Sequence, residues 1–413
     1  MSMQLVAISA DVIFCKMGDF EVITEFGNLY KGLKASCRNV RWKDSTVGYE
    51  ANALKNTYRL RQSLLDGTYK IQPYQTFQVY EPKERTIVAT RMRDRQFQHA
   101  LVDEVVYEQL TRSFIVENCA CMRGRGVDYC LNRVTKTLTD YYRKNGCEGW
   151  VYKFDIQKYF DSIPHDQAKR VIRKRIKDPR VQRELFRIVD SYPGDRGLGL
   201  GSQVNQLLAL ALLDELDHYI KEKLRVKHYV RYMDDFILIH PDKGFLKECA
   251  VDIERKINGL GLSLSKKKTV LLPLRQGFEM LKWTFMLKPS GKVIRKMNRS
   301  KIRKQKKKIT KLWELEKAGK RKPGTCDVSM QSFMANTRRG DTYSERREMA
   351  QFYYELTGRK YHDYVKFRGT GLETGGNRFQ KPDGTGYCDG KCGVYCEYVR
   401  YCTVPSVGKR KGV

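Results

Sequence analysis

The chain has 413 residues, 79 of them Lys or Arg against 47 Asp or Glu, for a formal charge of +32, and 41% of it is hydrophobic. That length holds two or three ordinary cores, and no apolar run reaches the roughly 18 residues a membrane-spanning helix needs. So large an excess of one sign repels itself unless a polyanion neutralises it, which makes nucleic acid the expected partner ahead of an acidic membrane surface or a merely solvated basic face.

The start, MSMQLVAISADVIFC, is apolar but has no basic lead and no small-residue cleavage site, so it does not read as a signal peptide. Residues 1–50 are otherwise weakly patterned. From Glu50 to Leu65 apolar residues recur near helical spacing (Ala53, Leu54, Tyr58, Leu60, Leu64, Leu65) up to an Asp66-Gly67 turn. Phe77 to Tyr80 reads as a strand running into Glu81-Pro82. A helix is expected over 93–112, with His99, Leu101, Val102, Val105, Val106 and Leu110 on its inner face. Trp150 to Asp155 is a short strand, and helices should follow over 165–189 and 203–224. Lys227 to Tyr232 and Phe236 to His240 are apolar runs either side of Asp234-Asp235, a hairpin pattern. A helix over 244–259 and a strand over 268–274 complete a split-βαβ alternation, giving a mixed α/β core over 51–288.

After Pro289-Ser290-Gly291 the composition turns basic between Lys292 and Lys322, with Ile302, Ile309, Leu312 and Leu315 near helical spacing. This predicts a basic helix with a narrow buried stripe. The capping box Thr342-x-x-Glu345 predicts a second helix that stops at Gly358. Residues 366–413 read as a partly ordered tail rich in Gly, Tyr and Cys. Eight scattered cysteines (Cys15, Cys37, Cys119, Cys121, Cys130, Cys147, Cys249, Cys326) fit reduced thiols in a cytoplasmic protein. Cys388, Cys392, Cys396 and Cys402 crowd the tail at spacings foreign to the common zinc patterns and with no His nearby, so free thiols are expected there rather than Zn2+.

Three carboxylates carry the chemistry. Asp155 ends one strand, and Asp234-Asp235 sit at the hairpin tip in YMDD, where a tight turn normally wants Asn-Gly, Asp-Gly or Gly-x. Local propensity is overridden there, as functional sites often require. If the strands are neighbours, the carboxylates converge and need a cation between them. Mg2+ prefers carboxylate oxygens and shares its shell with phosphates. A pair of such ions, roughly 3.5–4 Å apart, suits in-line phosphoryl transfer.

Over about 75–285 the sequence resembles bacterial reverse transcriptases, motif by motif and in their order. Lys83 and Arg85, two apart on an extended segment, look like the fingers residues that grip a triphosphate. Arg123-Gly124-Arg125-Gly126 resembles a second fingers motif that approaches the template. In FDIQKYFDSI the resemblance makes Asp155 a metal ligand, adds the Ile156 carbonyl as a second, and puts Phe160 at the steric gate that excludes a ribose 2′-OH. YMDD supplies Asp234 and Asp235. Lys268, in LSKKKT, resembles the later palm lysine near the nucleotide, and FEMLKWTF the primer grip, with Lys282 where the family usually has Gly. The stretch from Leu200 to Gln206 ends in Gln rather than Pro. This resembles the enzymes of diversity-generating retroelements, whose loop here touches template base and nucleotide, and so adds Gln206; Asn205 in place of Ser is a departure.

The resemblance implies an α/β (α+β) right-hand polymerase, with fingers and palm of split-βαβ type and a small helical thumb. The divisions would be an N-terminal extension over 1–50, fingers and palm over 51–288, a basic thumb over 289–365 and the tail over 366–413. Arg295, Arg299, Arg303 and Lys307 are the thumb's candidate nucleic-acid contacts. The implied function is RNA-directed DNA synthesis with two Mg2+, or Mn2+ as substitute, in a diversity-generating retroelement. An anti-phage defence reverse transcriptase is the alternative. An RNA-copying RNA polymerase is disfavoured by Phe160, a terminal transferase stays open, and a non-catalytic RNA-binding scaffold would have no use for three carboxylates. The implied partners are an RNA template, a DNA product duplex and dNTPs, with a structured noncoding RNA and an accessory protein beyond them, and no membrane.

Overall fold

A computed structural model describes residues 17–80, 84–361, 379–380 and 387–388. The chain divides into two units, 1–359 and 360–413. In the second, Phe379–Gln380 pairs antiparallel with Tyr387–Cys388. Cys392, Cys396 and Cys402, and with them the expectation about zinc, lie outside the described residues.

The first unit opens on helices that the sequence pattern did not announce: α1 (Asp19–Thr24), α2 (Phe26–Cys37) and α3 (Asp44–Ala51), followed by α4 (Ala53–Leu65). Helix α2 buries Leu29, Leu33 and Cys37 at a spacing of four. Gly32 lies on the same side against the Gln96 backbone, where any Cβ would collide with the carbonyl oxygen. Helix α4 buries Thr57, Leu60 and Leu64, whereas Leu54, Tyr58 and Leu65 from the same apolar series face outward. Strands β1 (Gln75–Val79) and β2 (Arg85–Ala89) form a hairpin whose tip, Lys83 included, is outside the described residues. The helix expected over 93–112 is one run built of α5 (Met92–Leu101), a π-helical turn (Val102–Val106) and α6 (Tyr107–Thr111). Its inner face is as read except His99, which is only partly buried.

Helix α7 (Val127–Asn145) packs Leu131, Val134, Leu138 and Tyr141 inward. Strand β3 (Trp150–Asp155) leads to the short α8 (Tyr159–Ser162). The single helix expected over 165–189 is two, α9 (His165–Arg175) and α10 (Pro179–Asp190), because Asp178 caps the Arg180 amide and Pro179 cannot continue the preceding ladder. Then come α11 (Gln203–Leu212), α12 (Asp214–His218), β4 (His228–Tyr232), β5 (Asp235–His240), α13 (Lys243–Gly259) and β6 (Val270–Pro273). The strands form an antiparallel sheet in the order β4-β5-β3-β6.

That sheet separates two cores, because successive side chains alternate between its faces. Phe154, Tyr229, Phe236 and Leu238 pack among the helices on one side. Val151, Val230, Ile237 and Ile239 meet α7 and a second antiparallel sheet, β7 (Phe278–Met280), β8 (Trp283–Leu287) and β9 (Val293–Met297), on the other. Phe154 stacks on Phe236 with centroids 4.8 Å apart, a contact worth about 1 kcal/mol beyond burial, so β3 and β5 are held firmly in register.

The basic helix begins later than its charge suggests. Arg295 and Lys296 lie in β9, and α14 (Arg299–Lys317) starts after an Asn298 cap. Helices α15 (Thr325–Thr337) and α16 (Tyr343–Thr357) pack on it through Ile302, Ile309, Met330, Met334 and Met349. Helix α16 has the expected bounds, ending at Gly358 with φ +70°. Its capping box does not form, since the Thr342 hydroxyl donates to the Thr337 carbonyl. No helix among the described residues is long and apolar enough to cross a membrane.

Candidate active site

The β3–β5 register sets Asp155 opposite Asp235, and the pairing of Tyr232 with Asp235 leaves Met233 and Asp234 as the two turn residues. Met233 takes φ +56°, a conformation usually left to glycine. All three carboxylates thus stand at one end of the sheet. The segment after α13 is pinned to the same end: the Ser265 amide donates to the Asp155 carbonyl (2.8 Å), the Gln157 amide to the Ser263 carbonyl (2.9 Å), and Ile156 bridges to Leu264. This carries Lys268, rather than Lys266 or Lys267, onto Asp155, where its Nζ donates to both carboxylate oxygens at 2.7 and 2.9 Å.

Lys153 was not foreseen. It lies two residues before Asp155 on the same strand face, forms an ion pair with Asp235 Oδ2 at 3.3 Å, and donates to the Glu279 carbonyl of β7 at 2.7 Å. Its alternation with Asp155 was the available signal. Arg231 and Asp217, a buried pair behind the hairpin, were missed as well. The signal there was a single charge in the otherwise apolar strand HYVRY.

The electrostatics describe a site with too much negative charge for its burial. Burial pushes the Asp234 carboxyl up, the Asp155 charge adds to this, and Lys268 and Arg85 pull it back. Burial pushes Asp235 up to about 6, opposed by Lys153 and reinforced by Asp234 and Asp155. Asp235 Oδ1 is buried without a hydrogen-bond partner, a costly condition for a carboxylate. Hard oxygen donors, an orphaned oxygen and two ammonium groups drawn onto the cluster all fit a divalent cation. Among the described residues no three His, Cys, Asp or Glu side chains are grouped ready to hold a metal; Asp155 and Asp235 are instead turned onto Lys268 and Lys153.

Phe160 lies on α8, partly buried, with its ring edge-on to Tyr159 at 5.8 Å and its carbonyl accepting from the Leu198 amide at 2.8 Å. Gln206 is in the first turn of α11. Asn205 beside it is fully buried and holds the preceding loop, donating to the Tyr192 hydroxyl (2.8 Å) and the Gly199 carbonyl (2.9 Å). That loop touches the β1–β2 hairpin, because the Val88 amide donates to the Leu200 carbonyl at 3.3 Å. The β7–β8 turn is formed by Leu281 and Lys282 with φ +50° and +66°, so Lys282 adopts the backbone a glycine would. The Lys301 ammonium of α14 bonds to the Lys282 carbonyl.

The candidate nucleic-acid contacts divide. Arg123 is exposed and stacks on Tyr107 at 4.4 Å. Arg125 is committed to its own loop, donating to the Ile115 and Asn118 carbonyls at 2.7 and 2.9 Å. Arg295 donates to Asn132 Oδ1 at 3.1 Å. Arg299, Arg303 and Lys307 are exposed on α14, and the first two line a 310 Å³ cavity with Lys306, Ser344, Glu345 and Glu348.

The reverse transcriptase (RNA-dependent DNA polymerase) family profile matches residues 80–311. Protein YkfC of Escherichia coli is 27% identical over 271 residues, covering 54% of this chain and 69% of that one. The group II intron-encoded protein LtrA of Lactococcus lactis is 22% identical over 352 residues, covering 65% of this chain and 55% of LtrA. The chain therefore spans about half the length of that longer relative. Apo telomerase from Candida tropicalis aligns at 12% identity with a TM-score of 0.46, covering 70% of this chain and 57% of that one. With the family profile extending over more than half of its residues, the chain belongs to the reverse transcriptase family.

Proposed function

We propose that the chain is an RNA-templated DNA polymerase that adds deoxynucleotides to a primer 3′-OH, with Asp155, the Ile156 carbonyl and Asp234 as ligands for two Mg2+ and Asp235 in support. The observation that carries this reading is the pairing of Asp155 with Asp235 beside the Asp234 turn. When bound, the ions neutralise the triphosphate and stabilise the attacking and leaving oxygens. Lys268 can leave Asp155 for a phosphate oxygen, and Arg85, already within electrostatic reach of Asp234, clamps the triphosphate together with Lys83. The Phe160 ring excludes a 2′-OH. Helices α14–α16 serve as the thumb, with α14 tracking the duplex through phosphate contacts that carry no sequence information.

The test is primer extension on an RNA template, with dNTPs or rNTPs and an Asp234→Asn control. Template-length DNA from dNTPs alone, lost in the control, supports the proposal. Product from rNTPs contradicts the role of Phe160. Binding to RNA with no extension, even with RNA and protein partners co-purified from the native source, replaces catalysis with the scaffold reading.

For biological role we propose a diversity-generating retroelement, on the segment from Leu200 to Gln206. Asn205 in place of Ser departs from that pattern, and phage defence is the alternative reading. A neighbouring variable gene with a matched template repeat supports the first; an isolated locus with a noncoding RNA supports the second.

A further inference from the structure

Arg231 is the fourth residue of β4, and its side chain has no solvent exposure. Its Nε donates to Asp217 Oδ1 at 2.6 Å and its Nη2 bonds to Asp217 Oδ2. Tyr229, on the same strand face, donates its hydroxyl to Asp217 Oδ1 at 2.6 Å. The remaining guanidinium nitrogen, Nη1, donates to the Met233 carbonyl at 3.0 Å, while Nη2 also lies 3.4 Å from the Leu210 carbonyl of α11. The Arg231 backbone is fixed as well, its amide donating to the Glu117 carbonyl (3.0 Å) and its carbonyl accepting from the Cys119 amide (2.9 Å).

A buried ion pair is weak evidence for stability, because apolar residues of similar volume usually do as well. What apolar residues would not supply is the bond to Met233. That carbonyl belongs to the peptide joining Met233 to Asp234, and Met233 is at φ +56°. A bulky residue in that region persists only where its surroundings hold it. This peptide sets the backbone from which the Asp234 side chain projects, and the Asp234 carboxyl is close enough to Asp155 to feel its charge, so freeing the turn to leave the left-handed region would loosen the aim of Asp234.

We propose that Arg231 is a positioning residue for the catalytic turn: clamped by Asp217, it holds the Met233 carbonyl and thereby aims Asp234. The proposal rests on the polymerase reading for its consequence in rate, but not for its consequence in the geometry of the turn.

The experiment compares wild type, Arg231→Lys, and the triple variant Asp217→Leu/Tyr229→Phe/Arg231→Met, which removes the charges and the hydroxyl together. Each is measured for melting temperature, for kcat and KM in dNTP incorporation, and for amide hydrogen exchange in the peptide spanning 229–238. The triple variant should melt near wild type, yet lose roughly 10- to 100-fold in kcat, since displacements of about 1 Å cost that much. KM for dNTP should change little, and exchange at the turn should quicken. A triple variant with wild-type kcat and exchange overturns the proposal. If it does not fold, Arg231→Lys decides: it keeps a charge for Asp217 but has no planar fork to reach Met233 as well, so wild-type kcat and exchange there overturn it too. Should the wild type extend no primer even with RNA and protein partners co-purified from its native source, the polymerase reading fails, and the exchange data alone judge the clamp.

Discussion

Neutralising Asp235 should make the metal-free protein more stable while disabling the site. Burial pushes this carboxyl from an ordinary 3.8 up to about 6, a shift of roughly 2 units, or about 3 kcal/mol at about 1.4 kcal/mol per unit. Because the folded value lies above the unfolded one, the native state holds the proton more tightly in that interval. The group's contribution is therefore fully favourable below about pH 4 and is lost as pH rises through about 6. Asp235→Asn escapes the loss. It also removes the partner of Lys153, which keeps only the Glu279 carbonyl, so the net gain should be about 1–3 kcal/mol near pH 7.5. Urea unfolding in chelator, with and without excess Mg2+, measures it. The gain should shrink toward pH 4 and should also fall in Mg2+, which stabilises the wild type by binding its native state. An Asp235→Asn protein less stable than wild type in chelator near pH 7.5 would refute the picture of a strained acidic cluster.

Three other variants probe separate parts of the site. Phe160→Ala should raise the rNTP-to-dNTP ratio of kcat/KM by about tenfold or more in single-nucleotide extension; an unchanged ratio removes Phe160 from the gate. Lys268→Met frees both Asp155 oxygens, so calorimetry should find tighter Mg2+ binding while KM for dNTP rises by about tenfold; weaker Mg2+ binding would mean that the lysine orients Asp155 rather than competing for it. Lys282→Gly relieves a left-handed lysine at φ +66° and should stabilise the protein by about 1 kcal/mol in urea unfolding, a gain that disappears if the lysine side chain supports the turn.

The parts of the fold legible in sequence are those where a single period dominates. Trp150–Asp155, His228–Tyr232 and Lys243–Gly259 stand within a residue of where alternation or helical spacing put them. The N-terminal helices were hidden because α2 packs partly through Gly32, Asn28 and Ser36, residues that contribute no apolar signal. Helix α15 was hidden because its apolar residues follow no clean stripe. Charge density misled at Arg295, where a strand precedes the basic helix. At the site, the aspartates and Lys268 were legible from motif and order. The partnerships of Lys153 with Glu279 and of Arg231 with Asp217 were not, because they join residues 126 and 14 positions apart through a sheet whose register the sequence does not state.

Asp155 and Asp234 are proposed to hold cations against the reacting phosphate. The most direct test is single-turnover extension on RNA with a dNTP in which sulfur replaces a non-bridging α-phosphate oxygen, run in Mg2+ and in Mn2+. Sulfur is a poor ligand for Mg2+ and a better one for softer ions. Strong slowing in Mg2+ that Mn2+ relieves is expected, with Asp155→Asn and Asp234→Asn inactive in both. Equal slowing in the two metals, or activity that survives either substitution, would contradict that role.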